Sequence, residues 1–182
     1  VSDRGRLFVA LDLDEHARSA LASWRADIVA AHTGIRPVAE EALHVTLCFL
    51  GTCAMDGVDA IAAACAIGSG DPLVGLRLGA AMWLPRRRPR VLAVAVEDDT
   101  GSLARVQSAL AQALNAGGWY RPQTRPYLAH VTVARVGKDR GLRVPPPPPP
   151  PVVLAETARV TLYRSHLSAK GSRYEAVRTI PV

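Results

Sequence analysis

The sequence predicts an α+β protein with an internal duplication: two lobes related by a pseudo-twofold, each a mainly antiparallel sheet with helices on its outer face, and a central cleft between them. Three observations lead there. A short pattern occurs twice, as His44-Val45-Thr46-Leu47 and His130-Val131-Thr132-Val133, each time inside an apolar, β-branched run. The interval between the two histidines equals the interval between Gly51 and Gly137, which close the two runs. The order of strand, acidic turn, helix, motif strand and hairpin is the same on both sides of the repeat. With 182 residues, 49% of them hydrophobic, the chain is long enough to bury a core as a single domain over 1–182.

The first half opens with an apolar strand, Leu7–Leu11, and an acidic turn, Asp12-Leu13-Asp14-Glu15. Ala17, Ala20, Leu21, Trp24, Ile28 and Ala31 then recur at three- and four-residue steps, which makes one apolar stripe on a helix. Asp14 is placed to accept a bond from a free amide at its start, and Gly34 to end it. The first motif strand runs from His44 to Gly51. Ala60–Ile67 reads as a further helix, stopped by Gly68-Ser69-Gly70-Asp71-Pro72. A third strand is expected around Leu73–Leu78, followed after a polar turn by Val91–Val96. That last segment also matches Leu7–Leu11, because an acidic turn, Glu97-Asp98-Asp99-Thr100, follows it.

The second half repeats the order. Leu103, Val106, Leu110 and Leu114 form a helical stripe, with Thr100 as cap and Gly117 as terminator. The second motif strand follows and ends at Gly137. Pro145–Pro151 is an unbroken run of prolines with no backbone donors, so a stiff polyproline II rod is expected, acting as a surface connector. The other use of such a rod is as a ligand for SH3- or WW-like domains. Val160–Leu167 and Arg173–Ile180 complete the chain as a hairpin.

Composition narrows the class. A formal charge of +6 favours a polyanionic partner, nucleic acid or nucleotide ahead of a membrane surface. Cys48, Cys53 and Cys65 are odd in number and lack Cys-x-x-Cys spacing, which indicates neither a disulfide framework nor a zinc site. Asp12 and Asp14 interrupt the only apolar stretch near the start, so no signal peptide is read there, and no run reaches membrane-spanning length. The expectation is a monomeric cytoplasmic protein that needs no cofactor.

Side chains alternate along a strand, so His44 and Thr46 share a face, as do His130 and Thr132. Two such strands facing one cleft supply two imidazoles and two hydroxyls. Displacement at a phosphodiester needs a proton removed from the nucleophile and another delivered to the leaving oxygen, on opposite sides of the phosphorus. Two histidines meet that demand without a metal, and the threonines can donate to the non-bridging oxygens.

Arg135 could grip phosphate bidentately, but strict alternation sets it on the face opposite His130, so it needs a bulge or the strand's twist to reach the cleft. Phe49 occupies the matching place in the first copy and reads as core. Cys48 shares parity with His44 and is a candidate for the cleft edge. Arg86-Arg87-Arg88-Pro89-Arg90, Arg121 and Arg125 are further candidate phosphate contacts, and Tyr120 and Tyr127 candidate stacking platforms. Trp119 reads as packing; His16, His32 and His166 read as surface or capping residues.

These motifs resemble those of the 2H phosphoesterase superfamily, whose members carry paired H-x-[ST]-x patterns. Within it the chain is similar to the RNA 2′,3′-cyclic phosphodiesterases, historically called 2′-5′ RNA ligases. The resemblance rests on Arg6-Leu7-Phe8-Val9-Ala10-Leu11, on Leu43 to Gly51, on Arg125 to Arg135, and on Tyr174-Glu175 near the end. It implies a bilobal fold and metal-independent hydrolysis of a 2′,3′-cyclic phosphate to a 2′-phosphomonoester. By the same resemblance His44 is the proton donor and His130 the proton acceptor; the residues themselves offer Thr46, Thr132 and Arg135 to the phosphate. Ligation to a 5′-hydroxyl would be this chemistry in reverse. The rival readings are a phosphodiesterase for small cyclic nucleotides or 2′-5′ oligonucleotides, and a non-catalytic RNA- or nucleotide-binding module.

Overall fold

The structure, a computed structural model, describes residues 3–68, 73–137, 147–151, 159–168 and 171–180. Among the described residues, eight strands and three helices follow in the order β1 (Arg4–Asp12), α1 (Glu15–Ala30), β2 (Ile35–Pro37), β3 (His44–Ala54), α2 (Val58–Gly68), β4 (Leu76–Leu84), β5 (Val91–Asp98), α3 (Ser102–Ala116), β6 (His130–Val136), β7 (Arg159–Ser168) and β8 (Gly171–Ile180). Short 3₁₀ turns lie at Glu40–Ala42 and Met55–Gly57. Among the described residues no helix is long and apolar enough to cross a membrane.

The local signals account for most of these boundaries. Asp14 accepts the Ala17 amide at 2.7 Å and starts α1. The Thr100 hydroxyl accepts the Ser102 amide at 3.2 Å, and Asp98 adds a bond from Ala104 at 3.0 Å, so two side chains cap α3. The third strand begins later than its apolar residues suggest. Gly75 adopts a positive φ of 69° that breaks the extended run, and β4 then continues past Leu78 to Leu84. The short strand β2 was not legible, being only Ile35–Pro37. Of the proline run, 147–151 carry neither helix nor strand, and the rest lies outside the described residues.

The strands form one sheet in the order β4-β5-β6-β3-β1-β7-β8, with β2 attached to β6, and every pairing is antiparallel. This differs from the expectation of one sheet in each lobe. The motif strands β3 and β6 are direct neighbours at the centre and meet at one register pair, Val45↔Val131. Around that pair the order is symmetric: the opening strands β1 and β5 flank the motif strands. The outer strands are exchanged, because β4 of the first half completes β5 and β7 of the second half completes β1. Hairpin closure explains the first exchange, since the short turn after Leu84 returns the chain directly beside β4.

Helices cover one face of the sheet. Leu21 and Ile28 of α1, Ile61 and Cys65 of α2, and Leu103, Leu110 and Leu114 of α3 bury their stripes against Val9, Val45, Val94 and Val131. The three cysteines are buried and free, and burial pushes Cys48 and Cys65 up to about 12, which makes thiolate chemistry there unfavourable. The opposite face carries the polar residues of the motif strands.

Candidate active site

The central pair sets the site. Val45 and Val131 are fully buried towards the helices, so the residues on either side of them, His44, Thr46, His130 and Thr132, emerge together on the other face. All four line one cleft of about 420 Å³, joined there by Arg6, Phe8, Phe49, Arg135 and Tyr174.

Two bulges decide which neighbours join them. In β3, Val9 pairs with Cys48 and Ala10 with Thr46, so Leu47 is an extra residue, and Leu47 and Cys48 both turn inward. In β6, Leu92 pairs with Ala134 and Ala93 with Thr132, so Val133 is extra, and Val133 and Ala134 both turn inward. One inserted residue reverses the parity of everything after it. Arg135 therefore reaches the cleft despite strict alternation. The same shift corrects two expectations from the first motif. Cys48 is buried away from the cleft, and Phe49 is 45% exposed on the cleft face, with the Arg6 guanidinium 5.3 Å from its ring centre.

The duplication extends to the histidine tautomers. His44 Nδ1–H donates to the Ala42 carbonyl and His130 Nδ1–H to the Leu128 carbonyl, each at 2.8 Å and each two residues back. A carbonyl only accepts, so the proton sits on Nδ1 and each Nε2 is left for the cleft. Thr46 donates its hydroxyl to His44 Nε2 at 3.0 Å.

The two rings sit in different surroundings. His44 packs 5.0 Å from Phe8 and 5.2 Å, edge to face, from Tyr174, while Tyr163 stacks on Phe8 at 5.3 Å and lies 6.4 Å from the His44 ring. Burial holds its pKa below the ordinary imidazole value. The Ala42 bond and the Asp12 charge work against that fall, and Arg135 and His130 add to it. His44 thus lies within electrostatic reach of both His130 and Arg135.

Other sequence candidates fall elsewhere. The Tyr127 phenol is half-buried and donates to the Thr46 carbonyl at 3.1 Å, tying the approach to β6 onto β3. Tyr120 and Arg125 line a second cavity of about 510 Å³ that shares Thr46, Phe49 and His130 with the cleft. Arg86 to Arg90 lie in the turn between β4 and β5, and neither they nor Arg121 line the cleft. His16 sits in the first turn of α1, His32 donates to the Ile28 carbonyl at 2.9 Å, and His166 pairs with Glu175 at 2.7 Å.

Sequence reasoning missed Arg25 and the aromatic wall. Arg25 belongs to the buried stripe of α1, and its guanidinium donates to the Val133 carbonyl, at the bulge, at 2.7 Å. Its spacing from Ala17 and Leu21, at four-residue steps, was the available signal.

Comparison with known proteins identifies relatives of the whole fold. Residues 13–146 match the family model described as the 2′-5′ RNA ligase superfamily. An Escherichia coli K12 protein named RNA 2′,3′-cyclic phosphodiesterase is 29% identical over 179 residues, covering 98% of this chain and 97% of that protein. Among solved structures, TT0787 of Thermus thermophilus superimposes with a TM-score of 0.76 at 25% identity, covering 96% of each chain. E. coli LigT complexed with 3′-AMP gives 0.71 at 25% identity, covering 97% of each.

Proposed function

The chain belongs to the 2′-5′ RNA ligase superfamily, and from that premise we propose that it hydrolyses 2′,3′-cyclic phosphate ends of RNA to 2′-phosphomonoesters. The observation that carries this reading is the meeting of the motif strands at Val45 and Val131, with His44 and His130 opening on one cleft. The name of the E. coli relative and the 3′-AMP held by LigT support the choice of substrate class.

The phosphorus lies between the two rings. His130, with its proton on Nδ1, takes a proton from water on Nε2 as the water oxygen attacks. The bond from phosphorus to O3′ breaks, and protonated His44 delivers its Nε2 proton to the departing oxygen. The 2′ ester bond is kept. One water is consumed, and the pair resets by exchanging a proton with solvent.

Thr46, which at rest bonds His44 Nε2, turns its hydroxyl with that of Thr132 towards the non-bridging oxygens, where charge builds. Arg135 holds those oxygens from the side. The assignment of donor and acceptor follows the family resemblance. The electrostatics are compatible with it: the substrate's negative charge beside His44 favours the proton that burial disfavours.

A second reading has an observation behind it. The second cavity touches His130 and leaves room for a nucleophile larger than water. A 5′-hydroxyl RNA bound there would yield a 2′-5′ joined product by the same proton transfers.

The test is product analysis on an RNA ending in a 2′,3′-cyclic phosphate, with EDTA present and with or without excess 5′-hydroxyl RNA. Hydrolysis to a 2′-phosphate is expected, with His44→Ala and His130→Ala each lowering kcat by ~10²–10⁴-fold. A 3′-phosphate product, or near-wild-type turnover in either folded variant, overturns the mechanism. A joined product under excess acceptor supports the second reading.

A further inference from the structure

The last residue of β1 carries a carboxylate that the reaction above leaves without a role. Asp12 is the register partner of His44 across the β1–β3 pair, so both side chains project on the cleft face. Its two oxygens are occupied by two donors of β7: Thr161, fully buried, at 2.7 Å and Tyr163 at 2.8 Å. Burial, and then the bond to Asp12, push the Tyr163 phenol upward, so it stays a donor. Asp12, Tyr163 and His44 line a small cavity of about 150 Å³ beside the cleft.

We propose that Asp12 is a positioning residue for the first histidine: anchored by Thr161 and Tyr163, its carboxylate supplies the counter-charge that lets the enclosed His44 imidazole carry the proton it must donate. The inference rests on the two-histidine reading, and it adds a third group that does not touch substrate.

The physical need is plain. His44 is walled by Phe8 and Tyr174, and an imidazolium among rings loses solvation. The charged groups that line these cavities with it come from several elements: Arg6 of β1, His130 and Arg135 of β6, Arg18 of α1, Arg173 of β8, and Glu41 of the first 3₁₀ turn. The rings of Tyr163 and Tyr174 face it as well. His130 and Arg135 act against a proton on His44, whereas Asp12 favours it. Fixing the carboxylate by two strand-borne hydroxyls holds that charge at one distance, and it occupies the oxygens that would otherwise seek the ring directly. His44 Nδ1 stays on Ala42, and Nε2 stays aimed at substrate.

The test follows the His44 ring by NMR across pH in wild type, Asp12→Asn and Asp12→Glu, beside the pH profile of kcat/KM. Asp12→Asn should lower the His44 midpoint by about one pH unit or more and move one limb of the rate profile with it. Asp12→Glu, which keeps the charge, should remain close to wild type. Should the asparagine variant not fold, Asp12→Ser reads the same loss of charge.

An unmoved His44 midpoint, or a loss of rate equal at every pH, overturns the proposal. Because the NMR titration needs no turnover, it stands apart from the hydrolysis assay. An enzyme inert towards every cyclic phosphate would refute the hydrolase while leaving the Asp12 effect measurable.

Discussion

At the scale of single residues, identical chemistry is placed in unequal settings. Both histidines donate from Nδ1 to the carbonyl two residues back, so the local motif alone fixes their tautomer. The difference comes from the wall around His44, and it has a consequence for stability. Burial holds the folded His44 below the ordinary value of ~6.5. Between the two values the unfolded chain binds the proton that the folded chain refuses. Stability therefore falls as pH drops through that window and levels off below the folded value. His44→Gln, which cannot titrate, should flatten this slope. Urea titrations at intervals from pH 7 to pH 4.5 measure it, and equal slopes in the two proteins would refute the sign argument.

At the scale of elements, the two bulges matter more than any side chain they move. Each inserts a residue in a motif strand just after the His-x-Thr pair, and each turns the next odd position to the cleft: Phe49 in β3, Arg135 in β6. The second bulge is held from behind. The Val133 carbonyl accepts the Arg25 guanidinium at 2.7 Å and the Val38 amide at 3.0 Å. Burial lowers the Arg25 pKa, and Glu40 and Glu41 act against that fall. Arg25→Met keeps the apolar stem and removes the charge-assisted bond, which should cost about 1.5–3 kcal/mol. If the bulge aims Arg135, the same variant should raise KM for a cyclic phosphate more than it lowers kcat. Steady-state kinetics on the folded variant decides, and an unchanged KM would separate Arg25 from the site.

At the scale of the whole molecule, the exchange of outer strands makes the halves interdependent. β4 completes β5, and β7 completes β1, so neither half retains a closed set of strand partners when separated. Unfolding in urea should be one transition, coincident by tryptophan fluorescence and far-ultraviolet circular dichroism. A fragment ending before β5 should not fold. Two resolved transitions would show that the halves are energetically separate.

Local information carried much of this. The caps at Asp14 and Thr100, the helical stripes, the repeated motif and the family resemblance depend on neighbours a few residues apart, and one-dimensional spacing records them. The sequence by itself thus determined the α+β class, the pairing of two histidines with two threonines, and the family. Tertiary structure alone decided that the motif strands lie side by side in one sheet, and that Arg135 and Phe49 cross to the cleft. It also decided that Arg25 and Asp12 stand behind the site. Bulges and strand exchange depend on which partner a backbone amide finds across the sheet, and that choice is made between segments far apart in the chain.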